Sequence, residues 1–218
     1  SMCLQIRTVF AIFLLGVGQS LSAAPASLPN TDSALRHDLI TKALVFQHEG
    51  YRARAIVLLQ QADQLAKQLG EDQNETGLLL AQLYFELGEY PLSLNMTTRI
   101  LDQSQSEIIQ ARALNILATV QSILNDHTTA SNTFTQAYAA SVTAGDKAMT
   151  TTVLTNHLRH ELDNKRGNAA LVIGKQLLPL SSTLGMLPES VEIQISIGDL
   201  FIRIADQTGE HSYYGHAF

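Results

Sequence analysis

Leu80 to Tyr90 reads Leu-Ala-Gln-Leu-Tyr-Phe-Glu-Leu-Gly-Glu-Tyr, with large apolar residues at helical spacing (Leu80, Leu83, Tyr84, Leu87) and a stop at Gly88. The pattern returns 117 residues on, from position 80 to position 197: small follows large at the same offset (Ala81, Gly198), and an aromatic recurs three places later (Tyr84, Phe201). Self-similarity at a distance decides architecture before any local reading does, and here it specifies a helical repeat. One helix pair cannot bury its own apolar face, so such a chain must stack its units.

The apolar supply is ample at 45% of 218 residues, while only 16% are charged, so Ser, Thr, Asn and Gln carry much of the solvation. A formal charge of -6 with no basic run argues against nucleic acid, whose binding depends on clustered Lys and Arg. The single cysteine, Cys3, allows neither a disulfide framework nor a thiolate metal site.

At the N-terminus Arg7 precedes an apolar run at positions 9–17, and small residues follow at Ala23, Ala24 and Ala26. That order is the pattern of a secretory signal peptide, assigned here to residues 1–24, and the run is short for a membrane span. A buried helix and an uncleaved anchor are the alternative readings. Ala24-Pro25-Ala26 offers a second small-x-small cleavage point, and Cys3 lies ahead of the apolar run rather than after it, where a lipid-modified cysteine would sit. Cleavage would leave 13 basic against 20 acidic residues, no cysteine, and no stable membrane span. Residues 25–35, with Pro25, Pro29 and capping types, read as a linker, residues 36–207 as the repeat region of four and a half units, and residues 208–218 as a tail.

From residue 36 the chain resembles a tetratricopeptide-repeat (TPR-like) array. In the first unit Leu39, Ala43 and Phe46 supply helix A, Gly50 the turn, and Ala55, Leu59 and Ala62 helix B. The second has Leu80, Ala81 and Tyr84, then Gly88 and Tyr90, then Ser93, Thr97 and Ile100, the last departing from the small-residue pattern. The third has Leu114, Leu117 and Ala118, Asn125 at the turn, then Ala130, Phe134 and Ala137. The fourth, a degenerate unit, puts His157 and Leu158 in the helix-A core, Lys165-Arg166-Gly167-Asn168 at the turn and Ala170 at the start of helix B. Intervals of 38 residues (Ala55 to Ser93), 37 (Ser93 to Ala130) and 40 (Ala130 to Ala170) exceed the usual family period. Gly70-Glu71-Asp72-Gln73, Gly145-Asp146 and Gly185-Met186-Leu187-Pro188 mark the loops between units. The resemblance implies an all-α, right-handed α-solenoid of antiparallel helix pairs, about nine helices behind the N-terminal signal segment. The fifth unit lacks a second helix, so either the Tyr- and Phe-containing tail folds back as a cap or the polypeptide is part of a longer one.

Among candidate chemistries, His157 and His160 lie three apart beside Glu161, but no second pair is spaced to complete a zinc site, so His157 is expected in the packing and His160 at the surface. No phosphate loop or nucleophile turn occurs, and neither a cofactor nor catalysis is expected. In the resembled family the concave groove, lined by the first helix of each unit, holds a peptide or protein segment. The outward-facing residues there are expected to be Gln82 and Glu86, then Arg112, Asn115 and Thr119, then Thr155, Asn156 and Arg159. Arg and Asn on adjacent repeats resemble the family's habit of gripping a peptide backbone or a terminal carboxylate with forked and amide donors. The alternative is that these are ordinary solvated faces. The reading is therefore a non-enzymatic interaction scaffold, exported to a periplasmic or extracellular location, with a protein or peptide partner and no nucleic acid. A homodimer through the uncapped C-terminal end is one further expectation. The alternative is the N-terminal regulatory region of a longer protein, because exported long-period arrays resemble the N-terminal parts of bacterial proteins that carry a caspase-like (CHAT) protease domain.

Overall fold

The structure, a computed structural model, describes residues 31–181 and 188–216, so the expected signal segment and the loop at Gly185 lie outside the described residues. Among the described residues there are nine α-helices, one 3-10 helix and no strand. The helices are α1 (Thr31–His48), α2 (Arg52–Leu69), α3 (Asn74–Glu86), α4 (Tyr90–Gln103), α5 (Glu107–Ile123), α6 (His127–Thr143), α7 (Lys147–Asp163), α8 (Gly167–Ser181) and α9 (Pro188–Thr208). The 3-10 helix, η1, spans His211–His216. None of these helices is long and apolar enough to cross a membrane.

The turn inside each pair has one construction. Gly50, Gly88, Asn125 and Lys165 all have left-handed φ, between 58° and 86°. In each case the next N–H closes back on a carbonyl five residues earlier: Tyr51 on Phe46 (2.7 Å), Glu89 on Tyr84 (2.8 Å), Asp126 on Gln121 (3.0 Å) and Arg166 on Glu161 (2.9 Å). This closure satisfies the last carbonyls of the first helix and turns the chain into the second. Five residues past each turn residue lie Ala55, Ser93, Ala130 and Ala170, all with no exposure. The fourth unit therefore keeps the register of the other three, but its second helix starts at Gly167, inside the expected turn, and Ala170 is the first buried small residue of that helix rather than its start.

The described residues form two compact units, one covering 31–105 and the other starting at Ser106. In the first, α1 to α4 pack consecutively, around Ile40, Ala43, Leu59, Ala62, Leu80, Leu83 and Tyr84. Helix α1 starts at Thr31, inside the stretch expected as linker, because Ser33 and Arg36 hold the Glu71 carboxylate and Arg36 also donates to the Asp72 carbonyl (2.8 Å). The oversized Ile100 is accommodated by Gly77 on the facing helix, where a Cβ would come within 3.2 Å of Ile100 Cδ1 and 3.0 Å of Arg99 Nη2. Arg99 in turn forks onto Asp63, with both N···O distances 3.0 Å, tying α4 to α2.

In the second unit each helix contacts the next from α5 to α9, and the first helices also touch one another, α5 with α7 and α7 with α9. Its cores comprise Ala111, Ala118, Phe134, Ala137 and Val153, then Leu154, Leu158, Ile173, Leu177, Ile197, Phe201 and Ile204. Ala118 is buried in the core as expected, beside Ala111, and the half-buried Leu114 packs against it, while Leu117 is half-buried. Beyond Gly209, η1 folds onto α9, and Tyr213 is buried against Phe201 with ring centroids 5.8 Å apart. Tyr214 donates to Asp206.

The left-handed turn positions generate a stability prediction. A non-glycine residue there is strained by about 1–2 kcal/mol, so Lys165→Gly is expected to raise unfolding free energy by about 0.5–1 kcal/mol and Gly88→Val to lower it by about 1–2 kcal/mol. Guanidinium unfolding of both variants checks the pair of signs.

Candidate functional site

The residues expected to line a groove sit mainly on the first helices α3, α5 and α7. On α3, Gln82 donates to Glu86 (3.0 Å), which is also bound by Arg52 (2.8 Å). In the second unit Asn156 Nδ2 donates to Asn115 Oδ1 (3.2 Å), and Arg159 Nη1 donates to Asn156 Oδ1 (3.3 Å). The structure thus brings Asn115, Asn156 and Arg159 together across α5 and α7. The Asn115 Nδ2 has no partner, so this donor chain ends in an unused N–H group. Thr119 and Thr155 return their hydroxyls to carbonyls four residues back, at 2.7 and 2.8 Å.

Exposure departs from expectation. Gln82, Asn115, Thr155 and Asn156 are buried rather than outward-facing, Asn115 at 1% exposure, while Arg112, Thr119 and Arg159 are partly buried. The physical reason for the threonines lies in the bonds just given: hydroxyls returned to their own helix leave little polar demand, so they can be packed, whereas the Asn156–Asn115 bond meets only part of the demand of the two buried asparagines. Burial pushes the Arg159 guanidinium below its ordinary value, Asp163 opposes that shift, and Arg203 adds to it.

A second polar group lies on another face of α7 and was only half visible in the sequence. His157 packs flat on Phe134, with centroids 5.2 Å apart and planes at 17°, as expected of a packing residue. His160, expected at the surface, is instead 2% exposed. Its Nδ1 lies 2.7 Å from Ser122 Oγ at the end of α5, and its Nε2 lies 3.1 Å from the carbonyl oxygen of His127 at the start of α6. Glu161, also 2% exposed, accepts from Ser131 Oγ (2.6 Å) and lies 3.2 Å from His157 Nε2. Arg166, in the turn after α7, places Nε 3.2 Å from Glu161 Oε2. Burial pushes the Glu161 carboxyl upward, but hydrogen bonds from His157 and Ser131 and the charge of Arg166 outweigh it and hold the group below 4.5, its ordinary value. An open depression of about 450 Å³ adjoins the cluster, lined by His127, Thr128, Ser131, Asn132, Asn164 and Arg166.

Alignment on the turn residue could have revealed this cluster. Five and four places before the turn, the second unit has Leu83 and Tyr84, and the fourth has His160 and Glu161. Six places after it stand Ile56, Leu94 and Leu171 in three units, and Ser131 in the third. The serine and the glutamate therefore depart from the apolar pattern together. Among the described residues no three His, Cys, Asp or Glu side chains are arranged to hold a metal ion.

Similar architecture occurs in solved structures. BtubC (BKLC) from P. vanneervenii matches with a TM-score of 0.69 and 20% identity, over 85% of this chain and 79% of that one. The nearly identical TPR-like repeats of a Podosopora anserina protein described as a kinesin light chain match with a TM-score of 0.64 and 12% identity, over 87% of this chain and 95% of that one. A substituted form of the same repeats gives 0.65 and 13%, over 86% and 94%. No protein-family model matches the sequence, nor does any curated protein. The fold is an all-α, TPR-like helical repeat.

Ser131 supplies the short hydrogen bond to the buried carboxylate, so Ser131→Ala is expected to lower stability by about 1–2 kcal/mol in urea unfolding near neutral pH. Because Glu161 is held below its ordinary value, this contribution is complete above pH 4.5 and fades as the pH falls through the folded-state value. A Ser131→Ala variant as stable as the parent protein near neutral pH would contradict the assignment.

Proposed function

We propose that this chain is an exported, non-enzymatic interaction scaffold that holds a peptide or protein segment along the first helices of its repeats. The observation that carries this reading is the donor chain Arg159 to Asn156 to Asn115, which crosses two consecutive first helices and ends in an unused amide N–H. Such a chain offers donors and asks for an acceptor, which a main-chain carbonyl or a carboxylate supplies. Desolvation of Arg159 favours an anionic acceptor in particular, since a cation removed from water gains most from an opposite charge. Thr119 and Arg112 flank Asn115 on α5. Export rests on the Arg7-led apolar run and the small residues that follow it. The alternative, a regulatory region joined to a caspase-like domain, draws on the resemblance to exported long-period arrays.

Selection of a displayed peptide library on the purified chain tests the scaffold reading. Selected peptides should bind the Arg112→Ala, Arg159→Ala double variant at least about tenfold more weakly, with helicity unchanged by circular dichroism. Equal binding by the double variant would remove the groove assignment.

A further inference from the structure

The positions eight, five and four residues before the left-handed turn residue hold Leu80, Leu83 and Tyr84 in the second repeat and Leu117, Val120 and Gln121 in the third. In the fourth they hold His157, His160 and Glu161. Apolar and aromatic side chains fill all of these positions but that of Gln121 in the second and third repeats, and the first has Lys42, Val45 and Phe46, so three buried titratable groups together in the fourth carry a desolvation cost that packing alone does not require. His160 is the member that reaches two other elements. The His127 carbonyl can only accept, so Nε2 must carry the proton, and in the neutral ring Nδ1 then accepts the Ser122 hydroxyl. Asn164 Nδ2 approaches the same Nδ1 at 3.3 Å. A second proton on Nδ1 would face the Asn164 amide donor and force the Ser122 hydroxyl to turn.

We propose that His160 is an acid-sensitive latch: as the neutral imidazole it clamps the α5–α6 turn, residues 124–126, onto α7, and on protonation it lets that turn go. The titratable groups facing it are His127 from α6 and His157 and Glu161 from α7 itself, while α5 presents the neutral Ser122. Glu161 favours the imidazolium, but Arg166, Ser131 and His157 already hold its carboxylate; the two other histidines oppose a charge. From α9, Arg203 is paired with Asp163 (2.6 Å), and Lys175 of α8 is exposed. Burial is the largest influence and holds His160 below 6.5, against the opposing pull of the His127 carbonyl and Glu161. The opened state, with the ring in water, keeps the ordinary value and takes the proton first. Closure is therefore complete above pH 6.5 and weakens as the pH falls through it.

The test is a proton NMR titration of the intact chain, read at the His160 ring, together with amide exchange at Asn125, Asp126 and Ala130, whose N–H groups are bonded within this turn and the start of α6. The expected result is a His160 midpoint below 6.5 and protection factors at those amides that fall from pH 7 to pH 5 while those of α9 hold. His160→Gln keeps a side-chain donor for the carbonyl and cannot charge, so the local loss of protection should disappear. A midpoint at or above 6.5, protection that does not respond to pH, or an unchanged response in His160→Gln would each overturn the latch. If the variant does not fold, the wild-type titration and exchange decide alone.

Discussion

Everything in this fold depends on how closely the second helix of each pair can approach its neighbours. Ala55, Ser93, Ala130 and Ala170 stand at one offset from the turn and are wholly buried. A longer side chain there would push the helices apart and separate the apolar rows that follow. Those rows vary in size, and the variation is compensated across the interface. Ile100 is met by Gly77, and at Gly174, where the other repeats have Leu59, Thr97 or Phe134, Ile204 fills the space, its Cδ1 2.7 Å from where a Cβ would lie. Close packing leaves little free volume, so bulk added on one helix must be removed from the next.

The polar cluster on α7 obeys the same rule in another currency. Glu161 and His160 occupy places that an aromatic and a leucine occupy in the second repeat, and each substitution is matched by a donor or acceptor on a neighbouring element. Removing a single partner would leave a buried charge or dipole uncompensated, which is why such networks act as units. The consequence is that the α5–α6–α7 junction is held by directional bonds as well as by Phe134, and directional bonds depend on protonation in a way that packing does not.

Much of the fold was legible because helical repetition writes itself at fixed offsets. The turn glycines Gly50 and Gly88, Asn125 in the left-handed region, and the buried row in each second helix could all be read from spacing. The fourth turn was harder. Its sequence offers Gly167 as the natural left-handed residue, yet Lys165 takes that conformation. Gly167 instead starts α8 where the end of α9 comes close, and a Cβ there would lie 3.2 Å from Thr208 Cγ2 and 3.3 Å from Gln207 Cβ. A residue's use in tertiary contact cannot be seen in a local pattern. His160 was misplaced for the same reason: hydrophobicity assigns histidine to a surface, and only the partners Ser122 and His127, 38 and 33 residues away, make its burial tolerable.

The candidate groove residues show where periodicity ceases to be informative. Helical phase put Asn115, Asn156 and Arg159 on one face, and the structure does join them. Phase says nothing about depth, however, and depth decides what a polar residue can do. An exposed amide trades water for a ligand at little net gain, whereas a buried one with an unused N–H has already lost its water. Asn115 is in the second condition. Any acceptor that reaches it forms a bond without displacing a solvent competitor, so its contribution to recognition would be large for a neutral amide.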